Sequence, residues 1–199
     1  TSYGRNRTTK AKGGISILVY DSLSKFATKL ESSTDPAEFF AIRLDCFSPS
    51  LVIMTTYGII EGQYTQSEML SIQSQFFSAF ESYTNEGSDV LVLGDFNNHI
   101  GNNLGLSSNN GKVSPGGKNL SRWVEENGLS LVNVLDQTHT HFDLSSKNHD
   151  TNILDLVITN NMSIIESFSV DKKVEWTPYR MRHVKKGIKK CHTDHLSLK

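Results

Sequence analysis

Cysteine and long apolar runs are both scarce in this chain of 199 residues. The two cysteines, Cys46 and Cys191, lie far apart and match no CxxC or zinc spacing, which argues against a disulfide framework and favours a reducing, intracellular compartment. No apolar stretch approaches the ~18 residues that a membrane-spanning helix needs. The polar first residues, 1–14, also lack the apolar core of a signal peptide. We therefore expect a soluble protein with its own hydrophobic core.

Acidic residues are missing from the start of the chain, where residues 1–18 contain four basic side chains and no acidic one. Residues 171–199 contain nine Lys or Arg against three acidic residues, although the net charge of the whole chain is −1. The stretch between these two basic ends is therefore acidic. This distribution suits a polyanion that is held at its flanks while a cation is held at the centre. The alternative is two solvated tails.

Short apolar runs alternate with helical patterns along the chain. Thr65-Gln-Ser-Glu68 has the spacing of a helix-capping box, and a row of apolar residues at helical spacing follows it to about Asn85. We interpret this row as a core face. A long surface loop is expected over 101–117 and a second helix over 119–126. Runs rich in β-branched and aromatic residues predict strands over 15–20, 39–44, 51–57, 89–93, 129–134, 153–159 and 164–170.

This alternation of many strands with two helices, without an internal repeat or linker, predicts one α/β sandwich domain. The strand DVLVL is nearly all apolar, as expected for a strand covered on both faces.

The segment Leu91–Gly101, LVLGDFNNHIG, places a carboxylate and amides directly after that strand. We expect Gly94 to let the chain turn sharply, so that Asp95 and Asn97 point out of the sheet in one direction. Phosphodiester hydrolysis needs an activated water and stabilisation of the negative charge on the phosphorane. A carboxylate can activate the water and an Asn amide can donate to a phosphate oxygen. The alternative is an Asx-turn that merely caps the strand.

Two further segments carry polar residues next to apolar strands. Asp194 and His195 stand side by side in Thr-Asp-His, just before an apolar run. Asp155 interrupts the apolar run ILDLVIT, downstream of Thr138-His-Thr-His-Phe142. Burying a carboxylate costs free energy unless it is paired, and His195 is a natural partner for Asp155. An Asp that pairs with a His fixes the imidazole tautomer and makes the imidazole a better hydrogen-bond donor to phosphate. The alternative for Asp155 is a solvent-facing position on an edge strand.

The order of these segments, GDFN, then Thr with a downstream strand Asp, then Thr-Asp-His, resembles the endonuclease/exonuclease/phosphatase superfamily, which includes DNase I and the exonuclease III-type apurinic endonucleases. The spelling GDFNNHIG, with GGISILV near the start, looks most like the endonuclease domains of non-LTR retrotransposons. The resemblance covers residues 13–199. It implies a DNase I-like four-layer α/β sandwich, in which two packed β-sheets are flanked by helices.

The resemblance also implies a role for each matching residue. Asp95 and Asn97 are the catalytic Asp and Asn of GDFN, and Asp194 is linked to the metal. His195 contacts the phosphate, and Asp155 pairs with that histidine. Tyr57, which ends the strand LVIMTTY, matches the tyrosine that ends a comparable strand in the superfamily and contacts the phosphate.

Members of the superfamily begin with two strands for which we find no match here, and the second of these carries the Glu that is the main Mg²⁺ ligand. No Glu precedes GGISILV in this chain. We therefore expect an N-terminally truncated single domain over 1–199, or a degenerate first element. Asp194 and Asp95 would then hold Mg²⁺ (or Mn²⁺) loosely, and activity would be weak or absent.

The leading hypothesis is a Mg²⁺-dependent phosphodiesterase that nicks DNA for a retrotransposon, in the nucleus, with a reverse transcriptase domain C-terminal to it in a longer polyprotein. The second hypothesis is a catalytically inactive nucleic-acid-binding domain, and the third is a same-fold enzyme that acts on RNA or phospholipid. Asn98 and His99 are expected to shape the site, and His139, His141 and His149 to lie on the surface. Four lysines are expected to contact the DNA backbone: Lys185, Lys186, Lys189 and Lys190.

Overall fold

The computed structural model describes residues 1–6, 14–30, 33, 38–60, 62–106, 111–142, 151–171 and 197–198. Three short 3₁₀ segments cover Asn103–Gly105, Val132–Leu135 and Met162–Ile164. The helices are α1 (Asp21–Ser24), α2 (Gln66–Asn85) and α3 (Pro115–Glu126). The strands are β1 (Ser2–Asn6), β2 (Gly14–Leu18), β3 (Ala27–Lys29), β4 (Glu38–Leu44), β5 (Leu51–Tyr57), β6 (Asp89–Asp95), β7 (Ser130–Leu131), β8 (His141–Phe142), β9 (Thr151–Asn152), β10 (Asp155–Thr159), β11 (Val170–Asp171) and β12 (Ser197–Leu198).

The largest sheet within these ranges has six strands in the order β3-β4-β5-β6-β10-β7. β5 and β6 are parallel and are connected through α2, while the other neighbouring pairs are antiparallel. The pairs β1–β2, β8–β9 and β11–β12 form separate two-stranded sheets. The parallel pair brings the carboxyl ends of β5 and β6 to the same edge of the sheet, where GDFN follows.

Helix α2 begins at the capping box that the sequence predicts. The Thr65 hydroxyl accepts from the Glu68 backbone N–H at 3.3 Å, and the Glu68 carboxylate accepts from the Thr65 backbone N–H at 2.8 Å. The hydrogen bonds from the Thr65 side chain and then from its backbone lower the pKa of the Glu68 carboxyl below the usual 4.5, because they stabilise its charged form. The apolar row along α2 is confirmed as a core face, since Met69, Ile72, Phe76 and Phe80 are buried.

The main core lies between one face of the sheet and helices α2 and α3. An aromatic cluster fills it: Phe77 stacks on Trp123 with ring centroids 4.3 Å apart, and Phe76 makes edge contacts with four rings. Phe96, the residue after β6, is one of those four. The end of β6 is therefore tied to the core by the aromatic side chain of Phe96. The other face of the sheet carries a smaller cluster around Phe40 and Ile42, on which β1 and β2 pack.

Several boundaries differ from the predictions. Residues 129–134 form only the two-residue β7 and then a 3₁₀ turn, and residues 164–170 enter a strand only at Val170. Helix α3 starts at Pro115 instead of residue 119, with Ser114 as N-cap, so the predicted surface loop over 101–117 ends earlier. Strand β6 continues to Asp95 instead of ending at residue 93. No helix in the described ranges is long and apolar enough to cross a membrane.

Candidate active site

Three predicted site residues stand in one row across the sheet. In the strand registers, Tyr57 of β5 lies opposite Asp95 of β6, and Asp95 lies opposite Asp155 of β10. Residues that oppose each other in neighbouring strands project from the same face. In the next row of the sheet, Thr56 and Leu156 both lie opposite Gly94 and are buried. Leu156 belongs to the core beneath the helices. The row therefore projects from the face opposite α2 and α3.

Asp155 is not on an edge strand, although β7 pairs with β10 only at Ile158 and Thr159 and does not extend to Asp155. β10 lies between β6 and β7, and Asp155 itself is half-buried. Its partner in the register is the other site carboxylate, Asp95. Like charges placed directly opposite in an antiparallel pair destabilise a sheet. A cation near the pair, such as an imidazolium or a metal ion, reduces this repulsion.

The chain turns after β6 at a different residue from the predicted one. Gly94 lies inside the strand, and the chain turns two residues after Asp95, at Asn97, whose φ of 49° is left-handed. Asn is one of the few residues that tolerate this conformation. Gly94 is required for a different reason: a Cβ there would lie 2.0 Å from the Thr56 carbonyl oxygen on β5.

An Asx-turn is indeed present in GDFN, and it orients the candidate site residues Asp95 and Asn97. The Asn97 backbone N–H donates to Oδ1 of Asp95 at 2.8 Å. The Asn97 side chain donates from Nδ2 to the Gly58 carbonyl at 3.0 Å, and the Gly58 N–H donates to the Asp95 carbonyl at 2.6 Å. The capping interpretation and the catalytic one are thus compatible, because the hydrogen bonds of the turn fix where the carboxylate and the amide lie.

Asn98 and His99 join the turn to helix α3. Asn98 is buried and donates to the Phe96 carbonyl at 2.7 Å, and the His99 carbonyl accepts from Ser114 N–H at 2.8 Å. Gly116 and Gly117 at the start of α3 leave the room for this contact, since Cβ atoms there would lie 2.1 Å from Asn98 Oδ1 and 2.0 Å from the His99 carbonyl oxygen. Both residues thus lie in the turn next to Asn97, and their role in shaping the site stays a prediction. His139, expected on the surface, is half-buried.

The backbone around Asp155 is held by two residues to which the sequence analysis gave no role. Oγ1 of Thr140 accepts from the N–H groups of Leu154 and Asp155, both at 3.1 Å. The carboxamide of Asn133 donates to the Asp155 carbonyl at 3.1 Å and accepts from Val157 N–H at 2.8 Å. Thr140 and Asn133 are fully buried. The signal for Thr140 was its place between the two histidines of the Thr138–Phe142 segment, whereas nothing local distinguished Asn133.

The remaining predicted residues lie outside the described ranges. They are Asp194, His195, Lys185, Lys186, Lys189 and Lys190, together with His149 and the side chain of His141. The structure thus brings together Tyr57, Asp95, Asn97 and Asp155.

The described part of the site fits a divalent cation only in its donor chemistry. Mg²⁺ prefers oxygen ligands and usually binds through one or two carboxylates, completed by water and phosphate oxygens. Asp95 and Asp155 supply carboxylate oxygens in one row. Across the described ranges, no group of three or more His, Cys, Asp or Glu side chains could hold a metal ion. Among the described residues, the row therefore offers an ion the carboxylates of Asp95 and Asp155.

The sequence model of a family described as endonuclease-reverse transcriptase matches residues 60–185. No curated protein sequence matches the chain significantly. Among solved structures, the endonuclease domain of TRAS1, a telomere-specific non-LTR retrotransposon, is similar over 99% of this chain and 78% of its own, with a TM-score of 0.63 and 13% sequence identity. A D. rerio TDP2 humanized by 14 mutations matches over 86% of this chain and 65% of its own at 14% identity, but its TM-score of 0.44 is too low to bear on the fold. The TRAS1 similarity confirms the DNase I-like fold predicted from the sequence.

Proposed function

Because the chain belongs to the endonuclease-reverse transcriptase family, we propose that it is a metal-dependent endonuclease that nicks DNA. The observation that carries this proposal is the row of Tyr57, Asp95 and Asp155 in register across three strands, with Asn97 fixed beside it. A phosphodiesterase needs a water-activating carboxylate next to groups that bind the phosphate. The row offers both at one sheet edge.

Hydrolysis forms a bond between a water oxygen and phosphorus while the bond to the leaving sugar oxygen breaks, and that oxygen takes up a proton to leave as a hydroxyl. In our proposal, Asp95 orients the water and accepts its proton. Asn97 positions the water or the phosphate, and its geometry is held by the bonds to Asp95 and Gly58. Tyr57 contacts the phosphate from the neighbouring strand. These side chains lie on rigid strand ends, so little reorganisation is needed during the reaction.

The second half of the proposed site is His195 with Asp155. His195 donates to a non-bridging phosphate oxygen and thereby stabilises the charge that develops in the transition state, and Asp155 holds its imidazole in the required tautomer. Asp95 and Asp194 would hold Mg²⁺ (or Mn²⁺), which supplies Lewis-acid stabilisation of the phosphate charge. Lys185, Lys186, Lys189 and Lys190 contact the DNA backbone, which makes binding salt-dependent.

The family description joins an endonuclease to a reverse transcriptase. We therefore place the nick at the start of reverse transcription in a retrotransposon, with the polymerase domain C-terminal in a longer polyprotein. The site of action would then be the nucleus, where the target DNA is.

A supercoiled-plasmid nicking assay with Mg²⁺ tests this function. We expect weak but measurable nicking by the wild-type chain, loss of nicking with Asp95→Ala and His195→Ala, and loss in EDTA that added Mg²⁺ reverses. Asp89→Asn is the matched control, because Asp89 lies at the other end of β6 and its carboxylate accepts from Asn161 at 3.0 Å, away from the row. Equal nicking by all variants would contradict the assignment.

Parallel arms distinguish the alternatives. Salt-sensitive binding of duplex DNA without any Mg²⁺-dependent cleavage would favour the inactive binding domain. Faster hydrolysis of RNA or of a phospholipid headgroup than of plasmid DNA would favour the third hypothesis.

A further inference from the structure

Among the residues that the structure describes, no strand pairs with β10 on its β7 side at Asp155. β7 pairs with β10 only at Ile158–Leu131 and Thr159–Ser130. The chain of β7 then turns into the 3₁₀ segment Val132–Leu135. Backbone groups on that side of β10, from Asp155 to Val157, therefore need partners other than a strand, since buried N–H and C=O groups are nearly always hydrogen-bonded.

Two side chains supply these partners. The carboxamide of Asn133 has one donor and one acceptor in the arrangement of a peptide group, and it bonds the Asp155 carbonyl at 3.1 Å and the Val157 N–H at 2.8 Å. The Asp155 N–H, which points to the same side, donates to Thr140 Oγ1 at 3.1 Å. Both N–H and C=O of Asp155 are thus held by side chains that are fully buried.

We propose that Asn133 and Thr140 are positioning residues that take the place of a neighbouring strand and set the position of the Asp155 carboxylate. The inference rests on the proposed function for its catalytic consequence, because Asp155 is there the residue that orients His195. Neither residue touches the substrate in this scheme. Their effect passes through the backbone of one residue, so it should alter the rate of the chemical step and not the binding of DNA.

The chain contains a matched control for Asn133 at the opposite end of β6. The Asn160 carboxamide donates to the Ser88 carbonyl at 3.1 Å and accepts from Val90 N–H at 2.8 Å, so it makes the same pair of bonds at the same distances. It differs in being exposed to solvent. Asn133→Leu therefore removes two hydrogen bonds next to the site, and Asn160→Leu removes the equivalent two bonds far from it.

The first readout does not depend on activity. Amide hydrogen exchange followed by NMR reports the opening of single hydrogen bonds. We expect Asn133→Leu to speed exchange at Val157, and Thr140→Val to speed it at Leu154 and Asp155, by at least about tenfold relative to the wild type. Unchanged exchange at these amides would overturn the inference even if the chain nicks no DNA.

The second readout is the nicking reaction. Small misplacements of catalytic groups cost up to about 10²-fold in rate, so we expect Thr140→Val to lower kcat by about 10- to 100-fold with KM nearly unchanged. Thr140→Ser keeps the hydroxyl and should recover most of the rate. Asn133→Leu should lower kcat in the same way, whereas Asn160→Leu should leave it at the wild-type value.

The outcomes separate this inference from the proposed function. A kcat that falls only in proportion to the fraction of unfolded protein, or that falls equally with Asn160→Leu, would assign Asn133 a structural role and overturn the inference. If Asn133→Leu does not fold, the comparison of Thr140→Val with Thr140→Ser decides. If the wild type does not nick at all, the proposed function fails, and the exchange measurement alone decides whether the two side chains hold Asp155.

Discussion

Replacing Gly58 with alanine tests how closely the turn after β6 approaches the end of strand β5. Gly58 has no positive φ, so alanine at an unobstructed position of this kind would stabilise the fold by about 0.4–1 kcal/mol through the unfolded state. A Cβ at Gly58 would, however, lie 1.9 Å from the Phe96 carbonyl oxygen. The obstacle is backbone, which cannot rotate away as the end of a flexible side chain can.

The size of the effect follows from these distances. Ordinary van der Waals contact begins at 3.4 Å, so the turn must move by about the difference between 3.4 and 1.9 Å, roughly 1.5 Å. That movement breaks two hydrogen bonds of Gly58: its N–H donates to the Asp95 carbonyl, and its carbonyl accepts from the Asn97 side-chain amide. Two lost hydrogen bonds, at about 0.5–1.5 kcal/mol each, add to an overpacking cost of about 1–3 kcal/mol. We expect Gly58→Ala to lower the free energy of unfolding by about 2–6 kcal/mol.

Urea unfolding followed by far-UV circular dichroism measures this change, and the nicking assay should show a loss of rate because Asn97 moves with the turn. Gly87→Ala is the control. Gly87 has φ 84° and nothing within 4 Å of its Cβ position, so alanine there should cost about 1–2 kcal/mol through backbone conformation alone and leave nicking unchanged. A Gly58→Ala variant as stable as the wild type, or more stable, would refute the close approach.

Three further predictions concern helices α2 and α3. Thr65→Ala should lower the free energy of unfolding by about 1 kcal/mol through loss of the N-cap, and an unchanged urea midpoint would contradict the capping box. Because the pKa of Glu68 is lowered in the folded state, the ionised carboxylate stabilises the fold above pH 4.5, and this stabilisation is lost as the pH falls through the lowered value. Glu68→Gln should therefore reduce the acid dependence of the free energy of unfolding. Identical pH profiles for the variant and the wild type would contradict this. Trp123 is buried against Phe77 and donates to Glu81 at 3.0 Å, so Trp123→Ala should cost about 3–5 kcal/mol, with Trp123→Phe less harmful in thermal unfolding; equal losses would contradict the stacking interaction.

Periodicity was sufficient to predict the elements with the strongest patterns. β5 has the predicted bounds, and α2 begins at its predicted cap, because alternating or helical burial extends over the whole element. The predicted start of α3 at residue 119 was wrong, because Gly116 and Gly117, which have low helix propensity, lie inside the helix. These glycines are tolerated because the His99 carbonyl and the Asn98 side chain leave no room for a Cβ. Such a contact between distant segments has no local sequence signal.

The candidate site was predictable in its residue types but not in its geometry. GDFN and the strand Asp named Asp95, Asn97 and Asp155, yet their common row depends on strand registers that only the packed sheet defines. For the same reason, residues 129–134 were wrongly predicted as a strand: the run is apolar, but Asn133 turns its side chain towards β10 and ends the regular pairing. The turn at Asn97 instead of Gly94 is a further case, because Asn can adopt a left-handed conformation.

The rate of Mg²⁺-dependent plasmid nicking by Asp95→Asn tests the central claim most directly. Asparagine keeps the shape of the side chain and can still accept from the Asn97 N–H, but it cannot take a proton from water. Loss of a general base typically costs about 10²–10⁴-fold in rate. We expect the rate to fall by at least about 10²-fold at an unchanged urea midpoint, and Asp89→Asn to nick at the wild-type rate. Nicking by Asp95→Asn at the wild-type rate would contradict it.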